Sequence, residues 1–195
     1  MKEKIKFENA ASTVFAPQLV GLVTTIDRAN RPNVATFAWI ISTSHDPELV
    51  AVSVSRKHYT YESLTEEFVI NLPTRELLEQ VWAVGTRSGR NVDKFQATGL
   101  TPIPAVVVKP PRIAECPTHV ECRIVDKVDT GDHTIFIGEV VAKSGDPDAM
   151  KDGVLNERIE PLFHLGGTKF LCGHERLDVD RLRRGAKAAF EIPAI

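Results

Sequence analysis

Short apolar runs broken by turn residues dominate the first third of the chain. Residues 18–27 read QLVGLVTTID, a β-type run, and the polar segment DRANRP at 27–32 follows it as a turn. Two further β-type runs fall within residues 33–56, joined by the turn signal HDP at 45–47, and another run, FVINL, occupies 68–72. Since β-branched and apolar residues favour strands and Asp-Pro favours turns, these runs predict successive antiparallel strands.

Helical patterns are few and short. Thr60 is predicted to cap one short helix. Thr74 is predicted to cap a longer helix, whose apolar residues recur at helical spacing until Gly85 stops it. A third short helix is predicted around Phe95, with Gly99 as its C-terminal residue.

The second half of the chain returns to strands. A strand over residues 105–113 is interrupted by two prolines, and a long alternating hairpin occupies 119–145 around a turn at 129–132. A last strand with a glycine pair is predicted over 161–171, and the Arg-rich tail at about 178–192 is predicted to be partly helical.

These elements amount to about seven or eight short strands with a few short helices, and no repeat or linker divides them. Because turns and not long helices separate the strands, the pattern favours an antiparallel barrel with helical insertions over a doubly wound parallel sheet. We therefore predict a mainly β fold with short α insertions, in a single domain over residues 1–195.

Composition narrows the classes of partner. The 195 residues are 43% hydrophobic and 26% charged, with a net charge of −2, which argues against nucleic acid or an anionic membrane as a partner. No apolar run approaches the roughly 18 residues of a membrane helix, and the N-terminal residues lack the apolar core of a secretory signal. We expect a cytoplasmic protein. Its three cysteines are an odd number without zinc spacing, and free thiols are favoured over a disulfide.

Several kinds of catalytic site are excluded by their missing motifs. The sequence contains no G-x-S-x-G elbow, P-loop or H-E-x-x-H helix, and no G-x-G-x-x-G fingerprint follows a strand. His164, Cys172 and His174 are near enough in sequence to suggest a metal site. Ordinary loop and strand roles are the favoured interpretation of these three residues, and we predict no metal site.

Two polar sets remain that suit an anion. One lies where a strand runs into a helix N-terminus and comprises Ser53, Ser55, Arg56 and Thr60. The other is a basic glycine-containing loop that comprises Thr86, Arg87, Ser88, Gly89, Arg90 and Lys94. Glycine lets the backbone approach an anion, and Ser, Arg and Lys supply hydrogen bonds and charge. An exposed basic loop with no ligand is the alternative interpretation of the second set.

The order of these segments resembles the flavin reductase-like family, the FMN-binding split barrels. The matching segments, in family order from about Pro17 to Val140, are LVTTID, RPNVATFAW, STSHDPELVAVSVS, HYTYESLTEEFVINLP, SGRNVDKF and GDHTIFIGEV. PLFHLGG is a weaker extension of the match. Within the family, the chain is most similar to the flavoredoxin-like branch.

The resemblance implies an antiparallel split β-barrel, a homodimer and non-covalently bound FMN. It implies that the isoalloxazine is lined by Ala35, Thr36, Phe37, Ala38 and Trp39. Along the ring and ribityl chain it implies Ser53, Val54, Ser55 and Arg56. For the phosphate it implies Thr60, Ser88, Gly89, Arg90 and Lys94.

The resemblance also implies a role for His133, which lies near the flavin and nicotinamide in NADH-dependent members. A structural role as a hairpin turn residue stays open for His133 on its sequence context alone. The function implied is an NAD(P)H-dependent flavin reductase, in which NADH or NADPH transfers a hydride to flavin N5. Two alternatives are a flavoredoxin-type FMN electron carrier that serves a redox partner protein, and an FMN-binding protein without turnover.

Overall fold

The computed structural model describes residues 4–173 of the chain. Its first elements are α1 (Ala11–Val14), β1 (Gln18–Leu19), β2 (Gly21–Ile26), β3 (Pro32–Phe37), β4 (Ile40–His45), β5 (Glu48–Ser55), α2 (Tyr59–Ser63) and β6 (Glu67–Asn71). A 3₁₀ turn, Arg75–Leu77, then leads directly into helix α3 (Leu78–Thr86), and helix α4 (Lys94–Thr98) follows after a loop. The later strands are β7 (Pro102–Ile103), β8 (Arg112–Ile113), β9 (Thr118–Thr130), β10 (His133–Gly145), β11 (Met150–Lys151), β12 (Val154–Leu155), β13 (Leu162–Gly166) and β14 (Lys169–Cys172).

Seven strands form one antiparallel sheet in the order β3-β2-β6-β9-β10-β5-β4. Strands β3 and β4 lie at opposite edges of this sheet, yet only Ala38 and Trp39 separate them in the chain. Because consecutive Cα atoms are about 3.8 Å apart, the two edges must meet, and the sheet curls into a barrel. The Ser53 N–H donates to the Trp39 carbonyl at 3.0 Å, which extends the pairing of β4 with β5 by one residue. The prediction of an antiparallel barrel with short helices is confirmed.

The barrel interior is filled by alternate residues of its strands. Val52 and Val54 of β5 are fully buried, and they pack in one cluster with Val23, Phe68 and Phe136. Gly138 of β10 makes room for this cluster, since a Cβ there would lie 2.6 Å from the Phe68 ring. The residues of β5 between the buried valines face the other side of the sheet.

A second core lies between the barrel and helices α3 and α4. Val34, Val81 and Phe95 belong to this cluster. Helix α3 is fixed against β3 because the Thr36 hydroxyl donates to the Val81 carbonyl at 2.6 Å. Gly85 permits this close approach, since a Cβ at this position would lie 3.2 Å from the Thr36 Cβ.

A small three-stranded sheet, in the order β1-β13-β14, lies beside the barrel. Its register pairs Gln18 with His164 and His164 with Phe170, so these three residues form a row across the sheet. Gly166 has a φ of 126° and Gly167 a φ of 56°, and these positive values turn the chain between β13 and β14. The single strand predicted over 161–171 is therefore wrong, and this segment is a hairpin.

Three other local predictions are wrong. Residues 33–56 contain three strands and not two, because the chain crosses between sheet edges at Ala38 and Trp39. Gly85 lies inside the last turn of α3 and does not end it. Thr60 is not a helix cap, because His58 holds that position and Thr60 is buried within α2.

Residues 105–108 do not form the predicted strand, because their backbone donors are used elsewhere. The buried carboxylate of Glu121 on β9 accepts from the N–H groups of Val106 at 2.8 Å, Val107 at 2.7 Å and Val108 at 3.3 Å. A buried carboxylate needs such donors to offset its lost hydration. The segment therefore folds around Glu121 in place of pairing with a strand.

Some sequence predictions fall outside the described residues or are not decided by the fold. His174 and the helical tail at about 178–192 lie beyond residue 173. Among the helices of the described residues, none has the length and apolarity needed to cross a membrane. The homodimer, the cytoplasmic location and the single domain over the whole chain stay predictions.

We expect Glu121→Gln to lower the free energy of unfolding by about 2–4 kcal/mol, since the buried amide replaces one acceptor oxygen by an NH₂ group that faces a backbone N–H donor. Glu139→Gln is the matched control, because Glu139 is exposed on the neighbouring strand β10. Urea unfolding of both variants measures the difference. Equal stability of the two variants would contradict the role given to Glu121.

Candidate functional site

Two connected cavities lie on the outer side of the barrel, between the sheet, α3 and the small sheet. The wide cavity has a volume of about 450 Å³ and the basic cavity a volume of about 310 Å³. The two cavities share lining residues from β3, α3 and the segment before α2, namely Thr36, Phe37, His58, Gly85 and Thr86. Together they form one elongated site with two chemically different ends.

The basic cavity carries positive charge only. Lys57, Arg87, Arg90 and Lys94 line it, and among the described lining residues there is no Asp or Glu. Thr60 and Ser88 add hydroxyl groups, and Ala35 and Gly89 add backbone. Such a surface favours a small, multiply charged anion.

Lys94 is the most informative residue of this cavity. It is only 6% exposed, and its ammonium group donates to the Val84 carbonyl at 2.9 Å. No described carboxylate is paired with it. Burial lowers the pKa of Lys94 to about 8, because the charged form loses hydration without gaining a counter-charge. An anion in the basic cavity would supply that counter-charge.

The loop that begins at Ser88 is held close to the barrel. A Cβ at Gly89 would lie 2.3 Å from Asn33 Oδ1 and 2.7 Å from the Tyr59 ring, so only glycine fits here. Arg90 packs over the Tyr59 ring, with its guanidinium carbon 5.7 Å from the ring centroid, and pairs with Glu62. The loop backbone therefore forms a fixed wall of the basic cavity.

The buried amide of Asn33 adds a second polar group beside this loop. Its Nδ2 donates to the Thr60 hydroxyl at 3.4 Å, while its Oδ1 has no hydrogen-bond partner. A buried acceptor without a donor is unusual in a folded protein. This unpaired atom is an acceptor, and Asn33 lies behind the Gly89 loop and not among the lining residues of the basic cavity.

The wide cavity is lined by hydroxyl, imidazole and aromatic groups, and there is no Lys, Arg, Asp or Glu among its described lining residues. On β5, Ser53 and Ser55 face this cavity while Val52 and Val54 face the barrel interior. The opposite edge of the sheet contributes Thr36 and Phe37 from the end of β3. Ala38 and Trp39, which connect β3 to β4, line the cavity as well. The hydroxyl groups of Thr36, Ser53 and Ser55 therefore line the wide cavity.

His133 stands at the start of β10, where it pairs with Ser55 of β5. Its ring lies 4.8 Å from the Trp39 ring between centroids, and both side chains line the wide cavity. Its Nδ1 lies 2.7 Å from the Asp132 carboxylate, and this hydrogen bond lowers the pKa of Asp132. Asp132 thus fixes the imidazole beside the cavity mouth.

Most of the predicted site residues lie around the two cavities, and two do not. The basic cavity has Ala35, Thr60, Ser88, Gly89, Arg90 and Lys94 in its lining. Val54 does not reach either cavity because its side chain is fully buried in the barrel core. Arg56 turns away to Asp129, with a nitrogen–oxygen distance of 3.2 Å, and to Thr134.

Several lining residues of the wide cavity are not predicted by the sequence pattern. Gln18, Trp82, His164 and Phe170 belong to β1, α3 and the β13–β14 hairpin. Trp82 has a helical spacing that indicates a core residue, while the other three residues meet only through pairing between distant strands. His58 was missed as well, and burial, together with nearby His133 and Lys94, lowers its pKa.

The described residues form no group of three His, Cys, Asp or Glu side chains that could hold a metal ion. His164 faces the wide cavity, and the Cys172 thiol interacts with Glu160. All three cysteines are free thiols, and burial raises the pKa of Cys116 and Cys122. Thiolate chemistry is therefore disfavoured at these two buried positions.

A sequence model of the flavin reductase-like domain matches residues 14–168. An uncharacterised protein of Archaeoglobus fulgidus is 41% identical over 130 residues, which cover 66% of this chain and 73% of that protein. The flavoredoxin of Desulfovibrio vulgaris has a similar structure with a TM-score of 0.80 at 31% identity, covering 91% of this chain and 96% of that one. A flavoredoxin of Methanosarcina acetivorans matches the fold with a TM-score of 0.81 at 23% identity, covering 91% and 95% of the two chains.

We expect Lys94→Met to raise the free energy of unfolding of the ligand-free protein at neutral pH by about 1–2 kcal/mol, because it removes a buried cation without a counter-charge. The pKa of Lys94 falls from 10.5 in the unfolded chain to about 8 in the folded chain. Below about pH 8, Lys94 is protonated in both the folded and the unfolded chain, so its protonation does not change on unfolding. Above that pH the unfolded chain binds more protons, so the wild type gains stability as pH rises from about 8 to about 10.5.

Urea unfolding at several pH values measures this difference between wild type and variant. The stability gap is predicted to be constant below about pH 8 and to close towards pH 10.5. A variant that is less stable than the wild type at every pH would show that Lys94 is a structural residue.

Proposed function

The chain belongs to the flavin reductase-like family, and from this premise we propose that it is an oxidoreductase that binds FMN non-covalently and reduces it with NADH or NADPH. One observation carries the proposal: a buried lysine without a counter-charge lies in a basic cavity that opens into a wide uncharged one. FMN has the same division, with a phosphate at one end and a planar ring system at the other. The combined cavity volumes lie within the range usual for cofactor sites.

The residues of the basic cavity fit a phosphate group. Lys94 and Arg90 would supply charge, and the hydroxyls of Thr60 and Ser88 would donate hydrogen bonds. Gly89 would bring the loop backbone close to the phosphate. The phosphate would also return the pKa of Lys94 towards its ordinary range, because it supplies the missing negative charge.

The residues of the wide cavity fit a ring system that carries polar edges. Thr36, Ser53 and Ser55 offer hydroxyl groups, while Phe37 and Trp39 offer apolar surface. Ala38 leaves space for close approach to the backbone between the two sheet edges. His58 lines both cavities and would lie beside the chain that joins ring and phosphate.

FMN, when bound, would supply the hydride-transfer chemistry, and the protein would supply binding and orientation. The protein's own residues orient the nicotinamide substrate at the mouth of the wide cavity. His133 is held there with Nδ1 at the Asp132 carboxylate, which leaves Nε2 as the ring nitrogen that can meet a substrate. The Trp39 ring beside it provides a planar surface for stacking.

A flavoredoxin-type electron carrier is the second candidate function. The 31% identity to the Desulfovibrio vulgaris flavoredoxin favours this candidate. Both functions need the same FMN site, and they differ in whether a nicotinamide nucleotide or a protein delivers the electrons. An FMN-binding protein without turnover would need neither a nicotinamide nucleotide nor a redox partner protein.

We expect Lys94→Met to weaken FMN binding by about 10- to 100-fold, since a charged hydrogen bond to phosphate contributes about 1.5–3 kcal/mol. Riboflavin, which lacks the phosphate, is expected to bind wild type and variant equally. The two tryptophans of the chain, Trp39 and Trp82, both line the wide cavity, so quenching of their fluorescence reports binding. Lys109→Met, at an exposed lysine paired with Glu66, is the charge-matched control. An unchanged FMN affinity in Lys94→Met would exclude the basic cavity as the phosphate site.

We expect NADH or NADPH to bleach the flavin absorbance of the FMN-loaded protein under anaerobic conditions. His133→Ala is predicted to slow this reaction by about 10-fold or more while FMN stays bound, because a positioning contact is lost. His45→Ala, at an exposed histidine outside both cavities, is the matched control. If dithionite reduces the flavin but neither nucleotide does, the reductase proposal fails, and reduction by a reduced redox partner protein would then support the carrier.

A further inference from the structure

We propose that the part of the wide cavity under the small sheet, which we call the aromatic chamber, binds a small uncharged aromatic molecule as a second ligand. The aromatic chamber is lined by Thr13, Gln18, Trp82, His164, Gly166 and Phe170. None of these residues belongs to the set assigned to FMN. The inference rests on the proposed function only in placing a flavin ring next to the aromatic chamber.

The register of the small sheet builds one wall of the aromatic chamber. Gln18 pairs with His164, and His164 pairs with Phe170, so the three side chains share one face of the sheet. That face lines the wide cavity, while Phe163 and Leu171 pair on the other face. Strands far apart in sequence thus place a cross-strand row of an amide, an imidazole and a phenyl ring over the cavity.

The aromatic surfaces of the chamber are arranged for a planar ring. The rings of Trp82 and Phe170 are perpendicular, with 6.5 Å between their centroids. The His164 ring lies 5.3 Å from the Phe170 ring between centroids. Aromatic rings prefer such edge-to-face and tilted contacts, so a further aromatic ring would extend the cluster.

The polar groups of the chamber favour an uncharged ligand. Its described lining has no Lys, Arg, Asp or Glu, and the four basic residues of the site lie in the basic cavity. His164 Nε2 donates to the Gly167 carbonyl at 3.1 Å, which holds the imidazole in place at the chamber wall. The amide of Gln18 and the hydroxyl of Thr13 offer further neutral hydrogen bonds.

The chamber has a fixed roof on its N-terminal side. Thr13 of α1 would lie 3.5 Å from a Cβ at Gly166, which is ordinary contact distance. Gly166 has a φ of 126°, a conformation that other residues rarely adopt. The hairpin can therefore lie against α1 at this point, and Thr13 and Gly166 both line the cavity.

The test uses FMN-loaded protein titrated with benzaldehyde and, separately, with benzoate, which has the same ring and a negative charge. We expect benzaldehyde to perturb the visible flavin spectrum with saturation, and benzoate to bind at least about tenfold more weakly because no described cation faces the chamber. Phe170→Leu is expected to weaken benzaldehyde binding about fivefold or more, with FMN affinity unchanged. Phe163→Leu, on the other face of the same hairpin, is the matched control and should bind benzaldehyde like the wild type.

Two results would overturn the proposal in FMN-loaded protein. One is the lack of any saturable spectral change with benzaldehyde, and the other is a loss of FMN affinity in Phe170→Leu, which would make the chamber part of the cofactor site. If the protein takes up no FMN, the proposed function fails separately. Calorimetric titration of the FMN-free protein with benzaldehyde then tests the chamber: binding that Phe170→Leu removes supports it, and no binding overturns it.

Discussion

The site depends on a single constraint of the backbone, which is that two residues join the opposite edges of a seven-stranded sheet. Ala38 and Trp39 connect β3 to β4, and the Ser53 N–H bonds to the Trp39 carbonyl where β5 pairs with the residue before β4. This closure brings β3 beside the surface formed by the neighbouring strands β5 and β10, although β3 lies at the other end of the sheet order. Without this closure, the hydroxyls of Thr36 and Ser53 would lie near opposite edges of an open sheet.

Charge is then divided between the two ends of that surface. The basic cavity holds the lysines and arginines, and the wide cavity holds hydroxyl, amide, imidazole and aromatic groups. The stability of the ligand-free fold and its capacity to bind an anion are opposed at Lys94, because burial disfavours its charge until a counter-charge arrives. Helix α3 links the two ends, since Thr36 holds it against β3 and Gly85 allows the close approach.

Much of the site could be predicted because its segments keep a fixed order in the sequence. Ser88, Gly89 and Lys94 were found as an anion-binding set from residue type alone, and the structure brings them to one cavity. Val54 was assigned to the site with its neighbours, but strand alternation turns its side chain into the core. The order of motifs specifies which strands are present, whereas the alternation along each strand decides which residues reach the site.

The site residues that could not be predicted from the sequence are those whose position depends on pairing between distant strands. The row formed by Gln18, His164 and Phe170 needs β1 to pair with β13, and no local pattern signals that pairing. The strand predicted over 105–113 failed for a similar reason, since the distant Glu121 takes its backbone donors. Local propensity was overruled in both regions by a contact that only the folded chain creates.

We propose that the phosphate of FMN contacts Lys94 in the basic cavity while the ring occupies the wide cavity. A crystal structure of the protein grown with FMN tests this most directly. We expect the phosphate to lie within hydrogen-bond distance of the Lys94 ammonium and the Ser88 hydroxyl, and the ring to lie beside Ser53 and Trp39. An FMN phosphate bound away from the basic cavity, with Lys94 still bonded only to the Val84 carbonyl, would contradict it.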